Sequence, residues 1–143
     1  MPTSRKITQK QYETLAAFRF ALRQFLRFSE QAAHGAGVTP QQHQALLAIK
    51  GFPGRAQVTV GELAERLQIA HHSTVGLVDR LTAEKLVIRE ASKEDRRQVY
   101  VSLTKRGDRL LEGLSSSHQE ELHRIGPELR DLLEEMTGPK KEK

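Results

Sequence analysis

The sequence contains no cysteine and no tryptophan. Without cysteine there is no disulfide, no thiolate nucleophile, no zinc finger and no thiol-based redox sensor. No apolar run approaches the roughly 20 residues that a bilayer span requires. The opening stretch MPTSRKITQKQYE is polar and has no apolar signal core, so a cytoplasmic location is expected. Internal repeats and low-complexity tracts are missing too, as is any glycine-rich loop that could cradle a phosphate. Ser115-Ser116-Ser117-His118 resembles a nucleophile and base only as letters. It falls inside a helical pattern, with no glycine elbow and no candidate oxyanion loop. No catalytic residue, metal or cofactor is therefore expected. His71-His72 makes a poor metal pair, because adjacent helical side chains diverge by about 100°.

What remains suits one globular domain of 143 residues, 37% hydrophobic and 29% charged. The pI of about 9.7 favours polyanionic partners, nucleic acid before membrane surface. Charge is uneven along the chain. Residues 1–50 carry seven Lys/Arg against two Asp/Glu, residues 51–110 eleven against eight, and residues 111–143 five against eight. A basic front and an acidic tail can pack together, or each can be a solvated helix face.

Hydrophobic periodicity predicts mainly α structure with one β-hairpin. A long first helix runs from about Thr8 to Ala33, with Thr8 and Gln11 as a capping box. Its apolar residues, including Phe20 and Phe28, exceed one face, so it needs a second surface to bury against. HGAGV ends it. Thr39-Pro40-Gln41-Gln42 starts the next helix, and Thr59 with Glu62 caps a short third. Gln68–His71 reads as a turn. A fourth helix then runs to about Lys85, with Val75, Val78 and Leu81 facing inward. Two short helices joined by a brief turn suggest a helix-turn-helix. The period then changes to 2 at Leu86–Arg89 and again at Val99–Leu103, around a charged tip. Thr104 opens a helix that Gly126-Pro127 is expected to interrupt, and residues 139–143 are expected to fray.

This order describes a winged helix-turn-helix flanked by terminal helices. A short second helix can enter the major groove with its N-terminal residues at base edges. Here those are His71, His72, Ser73 and Thr74, with Gly76 leaving room for close approach and Arg80 further along. Ser73 or Thr74 could instead simply cap the helix. On the hairpin tip, Lys93, Arg96 and Arg97 can reach a narrow minor groove. Asp95 cannot favour phosphate, so its role would be to orient Arg97 through a fork-like pair. The same tip also reads as a solvated loop with weak ion pairs.

The segments TPQQHQALLAI, TVGELAERLQIAHHSTVGLVDRLTAEKLV, IREASKEDRRQVYVSLT and the following KRG resemble the MarR family of winged-helix transcription regulators. Val75–Leu86 looks like that family's recognition helix, and Asp95-Arg96-Arg97 matches its wing signature. The resemblance implies a winged-helix lobe at about 39–104 and dimerisation helices at about 7–34 and 105–137. It implies a homodimer on a pseudo-palindromic operator in double-stranded DNA, commonly a repressor, released by a small phenolic or aromatic acid. A ligand-independent or architectural DNA-binding protein is the alternative. The expected ligand pocket involves Arg19, Leu22, Arg23, Phe25 and His43, with an arginine for the carboxylate. The ordinary roles of those residues are core, for Leu22 and Phe25, and solvated stripe, for the arginines. Aromatics in the first helix suit a dimer core better than a membrane surface.

Overall fold

The computed structural model describes residues 6–138, so the expected fraying at 139–143 lies outside the described residues. Seven elements follow in the order α1 (Gln9–Gly35), α2 (Pro40–Lys50), α3 (Val60–Leu67), α4 (His71–Ala83), β1 (Val87–Ala91), β2 (Val99–Leu103) and α5 (Lys105–Thr137). None of these helices is long and apolar enough to cross a membrane.

The helix starts form where the capping chemistry stands. The Thr8 hydroxyl accepts from the Gln11 N–H at 3.1 Å, and Gln11 Oε1 accepts from the Thr8 N–H at 2.9 Å. Reciprocal capping boxes also open α2 at Thr39/Gln42 and α3 at Thr59/Glu62. Thr104 opens α5, its hydroxyl accepting from the Gly107 N–H at 3.0 Å. The end of α1 is a six-to-one and five-to-two bonded terminus around Gly37, whose φ is +85°. There Val38 N–H reaches Ala33 C=O and Gly37 N–H reaches His34 C=O.

The described residues form two compact units, 6–31 with 117–138 and 32–116. In the helical unit, α1 and the distal part of α5 run antiparallel. Thr14 donates to Glu135 at 3.0 Å, and Ser29 meets His118 Nε2 at 2.8 Å. The Phe25 and Phe28 rings stand edge-on to the His118 ring, with centroids 5.9 and 5.3 Å away. The basic front and acidic tail therefore do pack against each other.

The winged unit is built around Leu46, Ile49, Val58, Leu63, Leu77, Val78, Leu81, Leu86, Val87 and Val101, each at most 1% exposed. Strands β1 and β2 pair antiparallel, with Val87 opposite Leu103 and Ala91 opposite Val99. Val58 adds a single bridge to Val101, so the extended Gln57-Val58 piece is anchored on the hairpin. Gly107 packs onto the turn between α4 and β1: a Cβ there would lie 2.1 Å from the Leu86 carbonyl oxygen. The KRG motif thus holds a glycine because helix α5 passes directly against backbone.

Two expectations are corrected. Gly126-Pro127 does not break the helix, and α5 continues through Pro127 to Thr137. Proline forfeits one backbone hydrogen bond and crowds the residue before it. Here that residue is glycine, and no atom lies within 4 Å of the place where its Cβ would be. The second correction concerns Leu86. It precedes the strand and is buried as a core side chain, while Lys85 before it takes a positive φ of 61°.

Candidate nucleic-acid interface

Helix α4 begins at His71, after a three-residue connection from α3. The turn is closed by Gln68 in the left-handed region, whose N–H reaches Ala64 C=O and Glu65 C=O. The cap position, Ala70, offers no side-chain hydrogen bond to the first turn. First-turn N–H groups left without a side-chain cap carry partial positive charge and suit an anion. Neither Ser73 nor Thr74 is the cap, since both lie inside the helix. The helix also starts four residues before Val75 and ends before Leu86, so it is displaced toward the N-terminus of the expected Val75–Leu86 span.

The buried face of α4 is Thr74, Leu77, Val78 and Leu81. Thr74 is completely buried, and its hydroxyl donates to the Ala70 carbonyl at 2.9 Å. It is therefore removed from the set of surface residues expected to meet DNA. Val75, expected to face inward, is 38% exposed instead. Val78 and Leu81 are buried as expected, and Thr74 takes the inward place expected for Val75. At about 100° per residue, the spacing 74, 77, 78, 81 makes one stripe and leaves 75 outside it. A helical wheel that admits a buried threonine would have found this.

His71, His72, Ser73 and Arg80 are exposed, and Gly76 is half-buried on the same open side. Asp79 lies there too, ion-paired with Arg89 of β1. That pairing, missed from sequence, ties the open face of α4 to the hairpin.

Beyond β1 the tip is an ordered turn. The Ser92 hydroxyl accepts from the N–H groups of Glu94 and Asp95 at 3.2 and 3.3 Å. Asp95 does orient Arg97, but through one oxygen rather than a fork. Asp95 Oδ1 accepts from the Arg97 backbone N–H at 3.0 Å and from its Nε at 3.4 Å. The Arg97 side chain remains 93% exposed. Lys93 and Arg96 are exposed beside it. Helix and tip together place His71, His72, Ser73, Arg80, Lys93, Arg96 and Arg97 on the surface of one compact unit.

A further cluster supports the hairpin. The Arg55 guanidinium lies 4.5 Å from the Phe52 ring centroid and 5.3 Å from that of Tyr100, and it ion-pairs with Glu62. Burial pushes the Glu62 carboxyl up. The Thr59 backbone N–H, then Arg55 and the Thr59 hydroxyl, outweigh this and hold it below the usual carboxylate range.

The five residues expected to take a ligand are divided between the two units. Arg19 and Arg23 are exposed and Leu22 and Phe25 half-buried, all in the helical unit. His43 is 2% exposed within the winged unit. A cavity of about 420 Å³ there is lined by Lys50, Asp108, Leu111, Glu112 and Ser115, with Lys50 and Asp108 ion-paired at 2.9 Å. Another, of about 380 Å³, lies between Arg55, Gln57, Tyr100 and the tip. Among the described residues no group of three or more acidic or histidine side chains could hold a metal ion.

Two adjoining helices with an open reading face, followed by a hairpin ending in arginines, define a winged helix-turn-helix protein. The MarR family model matches residues 36–98. This chain is similar to YsmB of Bacillus subtilis, described as an uncharacterised helix-turn-helix transcriptional regulator. Identity is 27% over 135 residues, covering 92% of this chain and 86% of that one. It is also similar to the transcriptional repressor MdtR of Bacillus subtilis, 35% identical over 72 residues, which spans 50% of this chain and 44% of MdtR. Among solved structures, NadR in complex with 4-hydroxyphenylacetate superimposes with a TM-score of 0.65. Identity is 25%, covering 96% of this chain and 99% of NadR. The matched family segment lies within the winged helix-turn-helix unit, and these relatives are described as helix-turn-helix transcriptional regulators.

Proposed function

We propose that the protein is a cytoplasmic homodimeric repressor that binds a pseudo-palindromic operator and leaves it when a small aromatic acid binds. The observation that carries the reading is the open N-terminal face of α4, with no side-chain cap, in the same compact unit as the Arg96-Arg97 tip. His71, His72 and Ser73 are polar enough to meet base edges or phosphate, and the first-turn N–H groups add an anion site. Arg80 extends that face. Lys93, Arg96 and Arg97 supply positive charge for a flanking minor groove, where narrow A-tract grooves attract arginine. Two such units, one per protomer, read half-sites about one helical turn apart.

The homodimer rests on the helical unit. Tyr12, Leu15, Phe20, Leu26, Leu122 and Leu133 are all more than 40% exposed there. Large apolar side chains in such number mark a surface that is covered in use. Repression is supported by the likeness to MdtR. An aromatic acid is supported by the likeness to NadR, with Arg19 and Arg23 as the exposed cations offered to its carboxylate. Such a ligand acts only through its different affinities for the DNA-competent and DNA-incompetent states.

The test is fluorescence anisotropy on the protein's own upstream intergenic duplex and on a scrambled duplex, at about 150 mM salt, where non-specific binding has a Kd of about 10⁻⁴–10⁻⁶ M. A preference of about 10³ or more for the native duplex is expected. Equal weak binding to both, and to duplexes selected from a random pool, overturns the reading. Adding 4-hydroxyphenylacetate or salicylate then tests release. Specific binding that no aromatic acid weakens would favour a ligand-independent regulator. Arg97→Ala is expected to reduce the slope of log K against log salt by about one unit. An unchanged slope would remove Arg97 from the interface.

A further inference from the structure

Helix α4 turns a mostly polar face outward, and one large apolar side chain stands in it. Thr74, Leu77, Val78 and Leu81 make the buried stripe, while Val75 is 38% exposed. On a helix of 100° per residue, Val75 belongs with Asp79, His72, Gly76 and Arg80 in the open band. Its neighbour one turn on, Asp79, is held by Arg89, so the acidic group beside it is already neutralised.

Gly76 at the middle of this band adds a second observation. A Cβ built there would meet only the Arg80 guanidinium, at the ordinary contact distance of 3.5 Å. Nothing within the protein needs the space. A glycine inside a helix costs stability relative to alanine, so a use outside the fold accounts better for its presence. The absent side chain lets the helix axis approach an external surface closely, and that approach brings the adjacent Val75 methyl groups down with it.

We propose that Val75 is a specificity-determining residue that packs against the C5-methyl group of a thymine in the major groove. This rests on the DNA-binding reading above. The thymine methyl is the apolar feature that the major-groove edges present. Valine is suited to meet it, because β-branching leaves it essentially one rotamer in a helix. Each half-site should therefore hold one thymine whose methyl group is read by this side chain, beside the bases met by His72 and Arg80.

The experiment uses the full chain and a duplex selected from a random pool for binding to it. Each thymine is replaced singly by deoxyuridine, which removes the methyl and nothing else. Kd is measured for the wild type, Val75→Ser and Val75→Asn. Both variants remove the γ-methyl groups and put a polar group in their place, whereas alanine or threonine would keep a methyl able to meet the thymine. At one thymine per half-site, the wild type is expected to lose about fourfold in affinity, the factor for one buried methyl-sized group. Both variants should lose less than about 1.5-fold at that same position, with melting temperatures close to wild type. Equal losses in wild type and variants at every position overturn the proposal while leaving DNA binding intact, as does the lack of any sensitive thymine. Failure to select any duplex overturns the DNA-binding reading, and this inference with it.

Discussion

Thr74 and Val75 are adjacent and differ by little more than a hydroxyl for a methyl, yet the fold uses them oppositely. The polar one is buried and the apolar one is half exposed. Thr74 tolerates burial because its hydroxyl has a local acceptor, the Ala70 carbonyl one turn back. A buried polar group costs little once it is hydrogen-bonded. Gly76 offers the sharpest test at this scale, because fold and function pull in opposite directions. Gly76→Ala has room for its methyl and gains helix propensity, about 1 kcal/mol. Its melting temperature is expected to rise by a few degrees. Affinity for the selected operator is expected to fall at least about tenfold, a change of about 1.4 kcal/mol. Calorimetry and anisotropy on one preparation read both signs. Unchanged affinity would show that the helix does not approach DNA through this face.

Among the elements, the helix starts were legible because their chemistry is local. A threonine followed three residues later by Gln or Glu satisfies two backbone donors whatever lies around it, and the structure holds reciprocal boxes at Thr8, Thr39 and Thr59. The Glu62 box does more than cap. Its carboxylate also holds Arg55, which stacks on Tyr100 of β2, so the start of α3 is linked to the hairpin. Because the folded carboxyl is held below its unfolded value of about 4.3, this contribution is complete above that value. It is lost as pH falls through the lower folded value. Glu62→Gln is expected to be less stable than wild type in urea at neutral pH, with the difference shrinking steadily below about pH 4. A difference that stays constant over that range would show that the charge is irrelevant. Helix α5 was less legible, because one part of a proline's helix-breaking effect is the crowding of the residue before it. Gly126 removes that crowding.

For the whole molecule, residues 32–38 and 105–116 belong to the winged unit. That assignment follows from side chains such as Ala33, Val38, Leu111 and Leu114 entering its core. The association of two copies is tested at this scale. Phe20→Asp and Leu26→Asp place a charge at side chains that are 60% and 57% exposed in one chain. If a second copy covers them, sedimentation equilibrium is expected to show half the wild-type mass, with the helix content of the winged unit retained. A dimer that survives both substitutions would place the interface elsewhere.

The sequence by itself determined the order of elements, their caps, the charged hairpin tip and the resemblance to a winged-helix family. Each of these rests on contacts within a few residues or on a fixed period. Tertiary structure alone decided which side of α4 is open, that Thr74 is core and Val75 surface, and that Asp79 is held by a strand residue. It also decided that Asp95 offers Arg97 a single oxygen and that Gly107 lies against the Leu86 carbonyl. These outcomes depend on where separate segments meet. Hydrophobic periodicity specifies a face to within about one residue, and packing selects between the remaining registers by burying the stripe that leaves no polar group unpaired.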